Sequence, residues 1–258
     1  MAVAMTIAGS DPSGGAGIQA DLKTFHQHGV YGMSVLTLLT VQNTRGVSAV
    51  EVLEPDFVAA QLEAVLTDIP PAAAKTGALG NAAVIERLAE YAARFSFPLV
   101  VDPVMISKHG ARLLTADACE VLRRKLLRHA FLVTPNLDEA ASLAAMEVVD
   151  PDSMAEAAAA IARMGPRNVL VKGGHLHEQA MDVLWSAGHI EQLPGERIDS
   201  KNTHGTGCAY SAAITARLAL GQDIRQAVRG AKQFITRAIR TSPGLGSGFG
   251  PTNLHADV

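Results

Sequence analysis

The segment Asn202-Thr203-His204-Gly205-Thr206-Gly207-Cys208, just ahead of a helical pattern, is built for phosphoryl chemistry. Its two glycines let successive backbone N–H groups turn toward one point, and a helix start adds partial positive charge there. A phosphoryl group in transfer needs that kind of cradle. Cys208 falls in the helix's first turn, where a thiol is expected to ionise more readily. It could then act as the base toward a substrate hydroxyl. The competing reading of Cys208 is a small buried thiol packing a helix start.

Other reactive residue types recur where predicted strands end: Gly9, Gln42, Gly77, Asp102, Asn136 and Lys172. In open α/β sheets, ligands bind beyond the carboxyl ends of the strands. Asn136 and Glu139, three apart, share a helix face in Thr134-Pro135-Asn136-Leu137-Asp138-Glu139. They read equally as a helix cap and as a magnesium and phosphate site. Asp102 reads as a loop cap or a metal-site carboxylate. Lys172 reads as a phosphate ligand or a solvated residue before a turn. His175 and His177 lack the further ligands a structural zinc needs.

The loop Ser10 to Gly17 resembles two nucleotide motifs without completing either. Gly9 and Gly14 have P-loop spacing, but Gly15 and Ala16 stand where the lysine and hydroxyl belong. Gly15-Ala16-Gly17-Ile18-Gln19-Ala20 fits a dinucleotide fingerprint. The second strand, however, ends in Gln42-Asn43 rather than an acid, which argues against a dehydrogenase. What remains is a flexible turn, or a backbone that a small ligand can approach closely.

These residues need a frame, and the pattern supplies one. Apolar runs at 3–8, 33–41, 47–53, 72–76, 99–101, 131–133 and 169–171 predict strands. Residues 183–185 and 189–192 predict a hairpin. Helical periodicity covers 18–28, 55–67, 81–94, 115–128, 137–146, 152–164, 206–220 and 223–241. Alternation of this kind predicts an α/β fold with a central, mostly parallel sheet and helices on both faces. No linker divides residues 1–258, so one domain is expected. The polar loop Ser107 to Leu113, with Lys108, His109 and Gly110, is expected to close over substrate.

The chain has 258 residues, 48% hydrophobic and 18% charged, enough to bury a large core. A net charge of −3 without a basic stripe argues against nucleic acid as a partner. No run nears the roughly 18 apolar residues of a membrane span. The start, Met1 to Gly9, lacks the features of a secretion signal, so a cytoplasmic protein is expected. Its two cysteines, Cys119 and Cys208, are too few for a disulfide framework; Cys119 falls in a helical pattern and is expected in the core.

Together these segments resemble the hydroxymethylpyrimidine/phosphomethylpyrimidine kinases of thiamine synthesis, in the ribokinase-like superfamily. The likeness runs through Thr6 to Lys23, Gln42-Asn43-Thr44, Val101 to Met105, Thr134 to Asn136, Lys172 to His175 and Asn202 to Cys208. It implies a three-layer α/β/α fold and ATP-dependent phosphorylation of 4-amino-5-hydroxymethyl-2-methylpyrimidine, then of its monophosphate. It further implies Cys208 as base, where most of the superfamily carries Asp, and the amides of Gly205, Thr206, Gly207 and Cys208 as an anion hole. Gln42 would bind the aminopyrimidine edge, with Gly9, Asp21, Ala78 and Val104 lining the pocket. Asp102 and Glu139 would serve Mg2+, and Asn136 and Lys172 the phosphates of ATP. A homodimer is typical of the family.

One position departs from the pattern: many relatives carry Met where Ala78 stands. A wider ring pocket keeps a pyridoxal or pyridoxine kinase open as an alternative. A non-catalytic vitamin- or nucleotide-binding protein is the other.

Overall fold

Strand parity sorts this molecule into layers. The computed structural model describes residues 1–108, 110, 113–174, 176 and 180–258. The strands are β1 (Val3–Ser10), β2 (Tyr31–Asn43), β3 (Gly46–Val52), β4 (Ala73–Thr76), β5 (Leu99–Val101), β6 (Leu132–Val133), β7 (Asn168–Gly173), β8 (Met181–Ser186) and β9 (His189–Leu193). Among the described residues they form one sheet, in the order β3-β2-β1-β4-β5-β6-β7-β8-β9.

Met5, Ile7, Ala74, Val101 and Val171 face one side. There they pack against α2 (Pro55–Asp68), α3 (Ala82–Ala92), α4 (Ala116–Val121), α5 (Leu137–Ala144) and α6 (Pro151–Ala162). The intervening Ala73, Val100, Leu132 and Leu170 face α7 (Thr206–Ala219) and α8 (Ile224–Arg240). Helix α1 (Gly17–Gln27) lies on that same side, packed through Phe25 against Ala212 and Ala216 of α7. Alternating side chains on strands buried on both faces require this division.

The sheet is mostly parallel as expected, and the expected hairpin at 183–192 is the antiparallel pair β8–β9. The antiparallel pairs β2–β3 and β7–β8 extend that mixed character at both margins. β2 also runs further in both directions than its apolar run suggests, because β1 pairs with it from Tyr31 and β3 continues the ladder to Asn43. The helix expected to continue from 115 to 128 widens into a π-helical stretch at Leu122–Leu126, then a 3-10 turn at Leu127–His129. The wider turn brings Leu122, Leu126 and Leu127 into the core together. Among the described residues, no helix is long and apolar enough to cross a membrane.

His28 caps α1 and gives the fold an acid-sensitive point. Its Nδ1 lies 2.9 Å from Thr24 O, and its ring meets Phe234 edge-on at 4.9 Å. Nε2 is buried without a hydrogen-bond partner among the described residues. Burial pushes the imidazole down to about 4. A depressed histidine stabilises the fold above its unfolded value near 6.5, and that contribution drains away as pH falls toward 4. We expect a loss of about 2 kcal/mol between pH 7 and pH 5. Urea midpoints of parent and His28→Leu at both pH values check this: the variant should lose much less on acidification.

Candidate active site

β1 connects to β2 on one side, whereas the chain later returns to β4 on the other side of β1. The chain therefore leaves the carboxyl ends of β1 and β4 in opposite directions, and a crevice opens above the paired strands. A cavity of about 1020 Å³ begins there and extends past the ends of β5 and β7. Gly9, Asp21, Gln42, Ala78, Asp102, Val104, Asn136, Glu139, Lys172 and Gly205 to Cys208 all border it. The sequence brings these residues from segments up to two hundred positions apart into one space.

The cradle at α7 depends on Gly205, which adopts φ 75 as the residue preceding the first turn. A β-carbon there would stand 1.8 Å from the carbonyl oxygen of Gly15. Thr206 is partly spent locally: its amide reaches Thr203 O at 3.3 Å and its hydroxyl donates to the same oxygen at 2.8 Å. The cradle thus centres on the amides of Gly207 and Cys208, first-turn N–H groups with no acceptor inside the helix. A β-carbon on Gly207 would lie 3.3 Å from Lys172 Nζ, so the missing side chain leaves room for an anion beside that ammonium.

Lys172 Nζ donates to Asp102 Oδ1 at 2.9 Å. Asp102 also accepts from Thr134 Oγ1 at 3.0 Å and Ser211 Oγ at 3.1 Å. Burial works against the charge on Lys172, but Asp102 and Glu139 outweigh it and hold the ammonium protonated above its usual range. Of the two readings of the next pair, the cap is observed. Asn136 and Glu139 form a full capping box on α5, with hydrogen bonds of 2.9 Å and 2.8 Å, and both border the cavity. Burial pushes the Glu139 carboxyl up to about 7, and nearby Asp102 adds to the rise.

Cys208 departs from expectation. The residue is half-buried, yet burial pushes its thiol up to about 11 rather than down. The nearby Lys75 and a backbone hydrogen bond from Gly17 do not cancel that penalty, to which Asp21 and Asp102 add. Asp21 also differs from a simple pocket wall, since its carboxylate is taken up by Lys75 and Thr6.

At the other end, a β-carbon on Gly9 would strike Leu38 Cδ1 at 2.4 Å, so glycine is required where β1 meets β2. Gln42 Nε2 lies 3.2 Å from His204 Nε2, which lies 2.8 Å from Asp11 Oδ2. Burial of Asp11 is outweighed by hydrogen bonds from His204 and Ser13, and its carboxyl is lowered. Sequence reasoning gave His204 and Asp11 no role: they are 193 positions apart, and only the fold joins them. His204 N also donates to Gly250 O at 3.0 Å, tying the cradle loop to the segment near Pro251. His109, His175 and His177 lie outside the described residues, as does part of the loop expected to close. Of that loop, Lys108 places its Nζ 5.4 Å from the Phe249 ring centroid. Cys119, expected in the core, instead borders the cavity and packs only partly against the core.

The model of the family described as phosphomethylpyrimidine kinase matches residues 11–253. The chain belongs to this family. Among similar phosphomethylpyrimidine kinase relatives, the hydroxymethylpyrimidine/phosphomethylpyrimidine kinase of Streptomyces coelicolor is 47% identical, over 96% of this chain and 93% of that one. The thiamine biosynthesis bifunctional protein ThiED of Geobacter sulfurreducens is 50% identical over 96% of this chain, which spans only 51% of that longer protein. An ADP complex of Bacillus subtilis pyridoxal kinase superposes with a TM-score of 0.91 at 41% identity, covering 99% of this chain and 98% of that one.

Proposed function

We propose that this chain is a single-domain kinase that transfers phosphate from ATP to 4-amino-5-hydroxymethyl-2-methylpyrimidine, then to its monophosphate. The observation that carries the reading is the joint position of the Gly207–Cys208 amides, the Lys172–Asp102 pair and Gln42 on one cavity. Family membership and close likeness to an ADP-bound kinase support ATP as donor.

The residues divide the work. Gln42 presents an amide to the ring edge, with Gly9, Ala78 and Val104 around it. The Gly207 and Cys208 N–H groups and Lys172 hold the phosphoryl oxygens as charge builds on them. The Cys208 sulfur, as thiolate, takes the hydroxyl proton. The freed oxygen bonds to the γ-phosphorus as the bond to the β-phosphate oxygen breaks, and ADP leaves. Asp102 and Glu139 suit Mg2+, because a cation would relieve the carboxyl that burial holds at about 7. Held by these two carboxylates, Mg2+ would supply positive charge to offset that of the donor phosphates. The reading includes a cytoplasmic homodimer; Leu39, Val41 and Val50 present exposed apolar side chains along β2 and β3.

ADP release with the pyrimidine alcohol, its monophosphate and pyridoxal in parallel tests this. No turnover of either pyrimidine would defeat the proposal; binding without ADP release would favour a non-catalytic binder. The pyridoxal kinase likeness and the short Ala78 favour pyridoxal as a second substrate. Ala78→Met should then cut kcat/KM for pyridoxal about tenfold or more relative to the smaller pyrimidine. An unchanged ratio would remove Ala78 from specificity.

A further inference from the structure

Asp11 and His204 are buried, yet both border the cavity beside Gln42. Asp11 accepts from the amide and hydroxyl of Ser13 at 2.9 Å and 2.7 Å, and from the Ala16 N–H at 2.9 Å. His204 Nε2 lies 2.8 Å from its Oδ2. A carboxylate with those donors already on it is an acceptor, so the facing ring nitrogen must carry hydrogen. Gly15 makes room for the ring: a β-carbon there would stand 2.7 Å from His204 Cδ2.

That hydrogen decides which way round Gln42 stands. One end of the Gln42 amide lies 3.2 Å from the same His204 nitrogen, and the other lies 3.2 Å from Thr40 Oγ1. The two ends of an amide have nearly the same shape, so its neighbours set its sense. Nitrogen toward His204 would set two N–H groups against each other. Thr40 would also need two hydrogens, because its hydroxyl already donates to Ser10 O at 2.9 Å. With oxygen toward His204, the imidazole N–H is shared between Asp11 and that oxygen, and the amide nitrogen donates to Thr40. Both conflicts vanish together.

We propose that His204 and Asp11 are a positioning pair that locks the Gln42 amide with its oxygen toward His204. The pocket then reads a ring edge in one sense only: a donor on the His204 side beside an acceptor on the Thr40 side. An aminopyrimidine carries such an edge, its exocyclic amino group donating and its ring nitrogen accepting. The pair, which rests on Gln42 as the ring contact, adds a specificity that a free amide lacks, since a free amide turns to suit either sense.

The discriminating probe is the oxo counterpart of the amino alcohol, whose carbonyl oxygen and ring N–H reverse the edge. The parent should favour the amino alcohol by about a hundredfold or more in kcat/KM, because the reversed edge sets like against like. His204→Phe keeps a ring against Gly15 and leaves Asp11 its other donors. It should cut that preference about tenfold or more, through KM for the amino alcohol and with KM for ATP unchanged. His204→Gln returns an N–H near the Nε2 position and should restore part of the preference. Thr40→Val, acting from the other end of the amide, should also lower it, and it serves if His204→Phe fails to fold. Proton–nitrogen correlation spectra of the imidazole, assigned by the signal lost in His204→Gln, should show hydrogen on Nε2 without reference to turnover. A bare Nε2, a parental preference in His204→Phe or Thr40→Val, or no rescue by His204→Gln overturns the proposal. Turnover of neither pyrimidine by the parent defeats the substrate reading instead, and the Nε2 hydrogen still decides the sense of the amide.

Discussion

Cys208→Ala is expected to lower kcat by about 10²- to 10⁴-fold, the range a positioned general base contributes. The loss should fall on kcat and leave KM for ATP near its parental value, because the Gly207 and Cys208 amides that hold phosphate belong to the backbone. Stability should change little: the side chain is half-buried and alanine keeps the helix. Steady-state kinetics with the pyrimidine alcohol, alongside a thermal melt, check both halves. Because burial holds the thiol near 11, parental kcat should also climb across the alkaline range instead of levelling at neutrality. The alanine variant should lack that climb. A variant with unaltered kcat would show that another group receives the proton.

Gly205→Ala is expected to be the most damaging substitution in the site, and Gly207→Ala its instructive partner. At 205 an added methyl would meet the Gly15 carbonyl oxygen at 1.8 Å, in a backbone conformation with φ 75. The left-handed conformation alone costs of order 1–3 kcal/mol for a residue other than glycine. Two backbone segments must also separate, which dismantles the cradle. Stability should drop by more than about 2 kcal/mol, and kcat/KM by more than about a hundredfold. At 207 the methyl would meet only the tip of the Lys172 side chain, at 3.3 Å, which can give by a few tenths of an ångström without moving backbone. That variant should melt close to the parent yet lose activity, since the methyl occupies the anion's space. Paired denaturation and kinetic measurements distinguish the two; similar melting of both variants would contradict the geometry.

Much of the frame was legible because apolar periodicity reports burial directly. The runs at 3–8, 72–76, 99–101 and 169–171 became parallel strands, since side chains buried on both faces leave continuous apolar stretches. The marginal strands at 47–53 and 183–192 were legible as strands, but the antiparallel pairing of β2 with β3 and of β7 with β8 was not, because strand direction is set by which neighbour the chain returns to. Local motifs at the site were legible too, as the Asn136–Glu139 capping box shows, because both partners lie within one helical turn. Long-range partnerships were not. Nothing in Lys75-Thr76-Gly77-Ala78 says that its lysine is buried against Asp21, 54 positions earlier. The thiol's proton affinity was misjudged for a related reason: a helix start is visible in sequence, but the depth of the sulfur is set by tertiary packing.

The loop bearing Gly205 leans on Gly15 on one side, and its neighbour His204 hydrogen-bonds Gly250, 235 positions further along, on the other. The anion seat is therefore shaped by two segments distant in sequence, and loosening either one would blur it. A bound nucleotide would in turn hold both segments in place and raise the stability of the fold around them.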